Sequence, residues 1–420
     1  MAQIHKTVLD SGIKVITEEM EEAESSCIGV WVVTGSRSEE ERLSGISHFI
    51  EHMLFKGTKR RTALDISKEI ESVGGMLNAF TSREYTCFYA KVLNKDIPLA
   101  IDLLSDIFMN SVFAHAEIAK EKMVVLQEIK MVEDTPDDLI HDIFAARFWQ
   151  GNPLGRPVLG SSKTVSSITR DDIARHFNRH YGPKNVFIAV AGGARHSNII
   201  RLLKATLGRI KERPYQAVFG RPAAMPGVGL IKKALEQVHL CLGVPVPPQP
   251  HPDRYKVYLL NTILGGGMSS RLFQEIREKR GLAYSVYSYL NLCKDAGSLA
   301  IYAGTSKEGF RETTGLILKE FAKLSRGVGK EELKNAKSQL TGGMLLGLET
   351  SDNRMSKLAR DEIYFGRVVP VREIRMGIES PTMADIRDTA RRLLAYDKIT
   401  LVAMGKVNAK DLPDVISRSL

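Results

Sequence analysis

At 420 residues the chain exceeds what one ordinary hydrophobic core holds, so two large domains are expected. Its 43% hydrophobic and 26% charged residues argue against a disordered protein, and no apolar run reaches the length of a membrane span. The net charge of +10 is uneven: residues 1–210 carry 26 Lys and Arg against 27 Asp and Glu, residues 211–420 carry 33 against 22. No zinc-finger, RNP-type or helix-turn-helix pattern accompanies the basic half, which reads as a solvated surface and not as a nucleic-acid site. Cys27, Cys87, Cys241 and Cys293 are scattered without a Cys-x-x-Cys spacing, against a disulfide framework and a thiolate metal site. A cytoplasmic protein is expected.

The chain opens on alternating, strand-like residues that run to Gly12, with neither the apolar core of a signal peptide nor an Arg-rich amphipathic leader. Ile28 to Val33 is an apolar strand. Ser47 to Leu54 then reads Ser-His-Phe-Ile-Glu-His-Met-Leu, a His-x-x-Glu-His pattern. On a helix, residues advance by about 100° each, so His48 and His52 share one face and can offer two imidazole nitrogens to one metal. Glu51 lies to the side of that face. It is too far round for an easy third ligand, yet in reach of a water beside the metal, where a general base stands. Phe49, Ile50, Met53, Leu54 and Phe55 make the rest of the helix apolar. Two imidazoles and a carboxylate in such a wall call for a counter-charge, which a divalent metal supplies.

Helical Ile66–Gly75, strand-like Met76–Leu93 and helical Ile97–Phe108 follow. Ala116–Ile129 is again helical, apolar at Ile118, Val125 and Ile129, with Glu121 and Glu128 seven apart and so on one stripe. That stripe is either a solvated face or the source of the third ligand that a site with one open position requires. His176 and His180 repeat the four-residue spacing without a Glu between them, just before Tyr181-Gly182-Pro183, and read as a structural helix end.

The Pro- and Gly-rich stretch from Arg213 to Gly227 marks a boundary, which gives domains 1–213 and 228–420 joined by a linker at 214–227. The second domain repeats the order of the first: apolar strand Val238–Leu242, a long helix, helical Arg271–Gly281, strand-like Leu282–Tyr302 and helical Phe310–Leu324. Hairpins and long helices in this order suit an antiparallel sheet with helices packed on one face, so the expected fold class is α+β in two homologous halves. The repeat is chemically unequal. Tyr258–Leu264 stands where the first copy has His48 to His52 and offers no ligand, and Gly265-Gly266-Gly267 lacks the Lys of a phosphate-binding loop.

His-x-x-Glu-His, followed some 75 residues later by Glu128 with Glu121 seven positions before it, resembles the pitrilysin or insulinase-like zinc metallopeptidases. The likeness is to the mitochondrial-processing-peptidase branch and its bacterial relatives, and it runs along essentially the whole chain. It implies one Zn2+ per chain held by His48, His52 and Glu128, with Glu51 as general base and Glu121 as a supporting carboxylate. It further implies that the two halves form a clamshell over a peptide substrate, an unfolded peptide or extended segment. Arg277 and Tyr284 of the second half would then stabilise the oxyanion; the other reading of that pair is an exposed helix arginine and a sheet tyrosine. Asn78, Ala79 and Phe80 would receive the peptide by strand addition, a role compatible with a plain sheet strand. Asp138 and Asp142, ten and fourteen residues after Glu128, stand where such enzymes receive an arginine upstream of the cut. Asp138 is shorter than the Glu usual there, and a solvated first helical turn is the other reading. Two halves where larger relatives have four imply a dimer, with a second copy or with a different partner. A non-catalytic assembly subunit of the same fold is the competing class, and it predicts damaged ligands, whereas all five motif residues are present.

Overall fold

In the computed structural model, which describes residues 3–210 and 220–414, the strands form two sheets. The first holds β1 (Gln3–Val8), β2 (Lys14–Glu19), β3 (Ser25–Val32), β4 (Met76–Thr81), β5 (Thr86–Leu93) and β6 (Val186–Gly192), in the order β1-β2-β6-β3-β5-β4. The second holds β7 (Gly227–Lys232), β8 (Val238–Val246), β9 (Ala283–Leu292), β10 (Gly297–Thr305) and β11 (Thr400–Gly405), in the order β7-β11-β8-β10-β9. Setting β2, β6, β3, β5 and β4 against β7, β11, β8, β10 and β9 gives the same order and the same pairing senses, so the repeat read from sequence is a repeat of topology. Among the described residues β1 has no counterpart. Pairing is antiparallel except at β2/β6 and β7/β11, which run parallel, a departure from the antiparallel layers expected. Each of those pairs closes only after a long helical excursion, and such a return can enter the sheet in either direction.

Strand alternation sorts the side chains to two faces. In the first sheet Ile28, Val30, Val32, Phe88, Ala90, Ile188 and Val190 face the helices of their own repeat and form the main core with Ile46, Phe49, Ile50, Val125 and Ile129. The opposite face, bearing Cys27, Trp31, Cys87, Phe187 and Ala189, is also closed: Met355, Leu358, Ala359 and Ile363 of the helix Ser351–Phe365 pack on it. Ion pairs from Lys91 to Asp352 (2.8 Å), from Lys6 (2.6 Å) and Lys14 (2.9 Å) to Glu362, and from Arg354 to Glu18 clasp that helix to the sheet. The second sheet repeats the arrangement. Leu240, Leu242, Val244, Leu299 and Ile301 face their own repeat's helices, while Cys241, Ala300, Tyr302, Val402 and Met404 meet Ile140, Phe144 and Phe148 of the helix Pro136–Phe148.

Each covering helix therefore comes from the other half of the chain. The described residues fall into two compact units, one of 3–131, 156–210 and 347–368, the other of 132–155, 220–346 and 369–414. This division is discontinuous in sequence, unlike a single break at 214–227. Of that stretch, 214–219 lies outside the described residues, and Gly227 already begins β7. Among the described residues no helix is long and apolar enough to cross a membrane.

Candidate metal centre

The helix Ile46–Leu54 begins behind Gly45, whose φ of +95° is in the left-handed region that favours glycine. Ahead of it, buried Glu39 accepts hydrogen bonds from the backbone N–H groups of Gly45 (2.7 Å) and Ser47 (2.8 Å), so a carboxyl group closes the positive end of the helix. Burial pushes the Glu39 carboxyl up to about 7, although the Ser47 and Gly45 N–H groups and the charge of Arg156 pull the other way. Ile46, Phe49, Ile50, Met53 and Leu54 turn into the core, which leaves His48, Glu51 and His52 on one half-buried face.

The second element is the helix His115–Asp134. Ile118, Val125 and Ile129 anchor it, and on the same stripe Glu121 is buried and Glu128 half-buried. Glu128 Oε2 stands 3.8 Å from His48 Nε2 and 3.7 Å from His52 Nε2, and one donor atom from each of the three side chains lies within 4.8 Å of the others. These separations exceed hydrogen-bond length and leave room for a cation with bonds of about 2.0–2.2 Å. Glu121 Oε2 lies 3.0 Å from His52 Nδ1 and its Oε1 accepts from Lys56 Nζ at 2.7 Å. With its proton on Nδ1, His52 keeps the Nε2 lone pair for the cluster.

Electrostatics favour a bound cation. Burial, then the neighbouring His52, pushes His48 down to about 4, so its imidazole is neutral at ordinary pH. Glu51, Glu121 and Glu128 gather three carboxyl groups around the histidine pair, and the ammonium of Lys56 pairs with Glu121. A divalent cation suits such a gathering of carboxyl groups, and two imidazoles with one carboxylate fit zinc with a further position open. Glu51 stands beside the three donors. Its carboxyl is raised by burial, lowered by the hydroxyl of Thr81 and by His52, and raised again by Glu128.

The other predicted residues fall in separate places. Asn78, Ala79 and Phe80 lie on β4, the edge of the first sheet, and among the described residues no strand pairs with its outer side. Ala79 N–H is taken by the Asn78 side chain at 2.7 Å, and Phe80 sets its edge on Trp31 with ring centroids 5.6 Å apart. Arg277 and Tyr284 come together in the second unit. The guanidinium stacks over the Tyr284 ring at 4.5 Å and over Phe273 at 4.8 Å, and Tyr284 is 79% exposed. Arg277 sits in a π-helical turn, Phe273–Glu278, where an ordinary helix was expected. Asp138 lies exposed in the first turn of the helix Pro136–Phe148 and Asp142 half-buried one turn on, in the unit that does not hold the histidine pair. His176 and His180 are buried, their ring centroids 4.3 Å apart, and among the described residues they join no group of three metal-ligating side chains. Lys56, Thr81 and Glu39 were not singled out from sequence. Only Lys56, one turn after His52, carried a positional signal.

The family description Insulinase (Peptidase family M16) matches residues 14–162, and Peptidase M16 inactive domain matches residues 167–340. An uncharacterized zinc protease of Streptomyces coelicolor is 40% identical over 93% of this chain and 87% of its own length. The uncharacterized zinc protease YmxG of Bacillus subtilis is 38% identical over 94% of this chain and 96% of its own. Among solved structures, a protease from Helicobacter pylori superposes with a TM-score of 0.90 at 21% identity, covering 96% of this chain and 100% of that one. A structure described as a peptidase M16 inactive domain from Pseudomonas fluorescens gives a TM-score of 0.90 at 22% identity, over 97% and 99% of the two chains. At such identities the two structures speak for the fold.

Proposed function

The chain belongs to the insulinase family of peptidases, family M16, and is a zinc metallopeptidase; from that premise we propose that it is an endopeptidase acting on unfolded peptides or extended segments. The observation that carries the reading is the convergence of His48, His52 and Glu128 beside Glu51, with Glu121 and Lys56 bracing His52 from behind. In this reading one zinc per chain is held by those three side chains. Bound there, zinc supplies Lewis-acid polarisation of the scissile carbonyl and raises the acidity of a water.

The chain's own residues do the rest. Glu51 takes the proton of the attacking water and returns it to the leaving amine, for which a carboxyl group raised by burial is suited. The outer edge of β4 at Asn78, Ala79 and Phe80 takes the peptide backbone by strand addition, which favours extended chains over folded ones. Arg277 and Tyr284 act on the developing oxyanion, the stacked guanidinium supplying the charge. Asp138 and Asp142 receive a basic side chain of the substrate. A second copy of the chain completes an enclosed chamber, with a different partner as the other possibility.

Digestion of casein alongside a disulfide-locked folded domain tests the substrate class. Internal fragments from casein, an intact folded domain, and loss of cleavage on chelation with recovery on added zinc are expected. Release of single terminal residues only, or equal cleavage of the folded domain, contradicts the reading.

A further inference from the structure

We propose that Thr81 is a positioning residue for the general base, and that it couples the strand that receives the peptide to the carboxylate that handles the proton. The inference rests on the peptidase reading above. Thr81 is the last residue of β4, and strand alternation places it on the same face as Leu77 and Ala79, toward the core and the helix Ile46–Leu54. Its hydroxyl donates to Glu51 Oε2 at 2.5 Å, and among the described residues the Glu51 carboxyl group makes no other hydrogen bond.

The proton inventory makes this contact specific. Thr86 stands directly across from Thr81 in the β4/β5 register, its hydroxyl 3.4 Å away, but that hydroxyl spends its single proton on the carbonyl oxygen of Thr34 at 2.9 Å. Thr81 therefore has one strong acceptor, the Glu51 carboxylate. With Oε2 held from the strand side, Oε1 is the oxygen left to meet a water beside the histidine pair. A glutamate has three rotatable side-chain bonds, and fixing one oxygen removes most of the freedom that would otherwise have to be lost at the moment of reaction.

Thr81 is itself well placed to do this. On the opposite face its neighbour Phe80 is wedged among Trp31, Tyr85 and Tyr89, with ring centroids 5.6, 6.2 and 6.3 Å away. Directly after it a tight turn closes, Ser82 N–H donating to Tyr85 carbonyl oxygen at 2.8 Å and Tyr85 N–H to Ser82 Oγ at 3.1 Å. A peptide paired along the outer side of β4 would order the same strand. Substrate binding and orientation of the base would then be one event.

The test is a set of variants, Thr81→Val, Thr81→Ser and Thr81→Ala, each assayed for zinc content and for kcat and KM on a quenched fluorescent peptide of unstructured sequence. Thr81→Val keeps shape and removes the donor. Its kcat is expected to fall about tenfold to a hundredfold at unchanged zinc content and nearly unchanged KM. Thr81→Ser, which keeps the donor, should recover most of that loss, and Thr81→Ala should behave like Thr81→Val even if the valine variant folds poorly. A wild-type kcat in Thr81→Val or Thr81→Ala, a change confined to KM, loss of zinc, or a serine variant no better than valine overturns the proposal. Wild type and Glu51→Gln run in parallel separate the two claims. If wild type fails to cleave, or Glu51→Gln cleaves as well as wild type, the reading of Glu51 as base has failed regardless of Thr81.

Discussion

Lys56 is the cation that makes a buried Glu121 tolerable, and the chain Lys56 to Glu121 to His52 fixes which imidazole nitrogen faces the metal cluster. Removing the ammonium as Lys56→Met should loosen that chain and lower zinc affinity about 10- to 100-fold, read by competition with a chromogenic chelator. Affinity unchanged in Lys56→Met would show that Glu121 holds His52 unaided. Histidines shielded from water, His48 half-buried and His176 and His180 buried, set a pH dependence. His48 is pushed down to about 4, His176 to about 3 and His180 to about 4, with burial the first cause in each. Below the ordinary histidine value of 6.5 the unfolded chain takes protons that the folded chain refuses, so stability falls as pH falls from 6.5 toward 4. Glu39 works in reverse: raised to about 7, it keeps a proton in the fold between 4.5 and 7, and its contribution is lost as pH rises through 7. His141, His196 and His239 are lowered by burial as well, and Glu51 is raised along with Glu39, so lowered histidines outnumber raised carboxyls and the metal-free protein loses stability on acidification, by about 1.4 kcal/mol per pH unit for each unopposed histidine. Urea midpoints across that range should show the slope, Glu39→Gln should steepen it, and a flat profile contradicts the assignment of buried neutral histidines.

At the scale of elements, the covering helices seat where the sheet offers no side chain. A Cβ added to Gly243 would stand 2.6 Å from Phe144 Cζ and 2.8 Å from the Leu299 carbonyl oxygen, so the helix Pro136–Phe148 would have to lift or a strand to shift. Gly243→Ala should destabilise by about 1–3 kcal/mol in urea. Gly315, inside the helix Phe310–Leu324 with nothing within 4 Å of an added Cβ, should instead gain up to about 1 kcal/mol as alanine. Equal effects at the two positions would contradict this packing. The helices themselves were legible in sequence: the apolar spacing around His48 and the Ile118, Val125, Ile129 stripe place both elements of the metal cluster. What they pack against was less so. Met355, Leu358 and Ile363 announce that a helix buries a face, but an amphipathic pattern does not say which sheet covers it. Likewise Lys56 and Glu121 are a charge pair brought together across 65 positions of chain, and the strand period around Thr81 says which side it faces, not that Glu51 waits there.

For the whole molecule, the exchange of helices makes neither half of the chain self-sufficient. A fragment ending at residue 213 lacks Ser351–Phe365 and leaves Cys27, Trp31, Cys87 and Phe187 uncovered. It should aggregate or unfold without cooperativity, measured by near-ultraviolet circular dichroism and urea titration. A cooperative, soluble fragment would contradict the division into units. Topology is carried by both copies of the repeat, whereas among the described residues the group His48, His52 and Glu128 that could hold a metal ion is carried by the first copy alone. The central claim is that this cluster holds zinc and that Glu51 acts beside it without being a ligand. The most direct measurement is zinc content together with peptide cleavage for wild type and Glu51→Gln. The account predicts about one zinc per chain in both proteins, cleavage by wild type, and near-complete loss of cleavage in the variant. Loss of zinc in Glu51→Gln, or a variant that cleaves as fast as wild type, would contradict it.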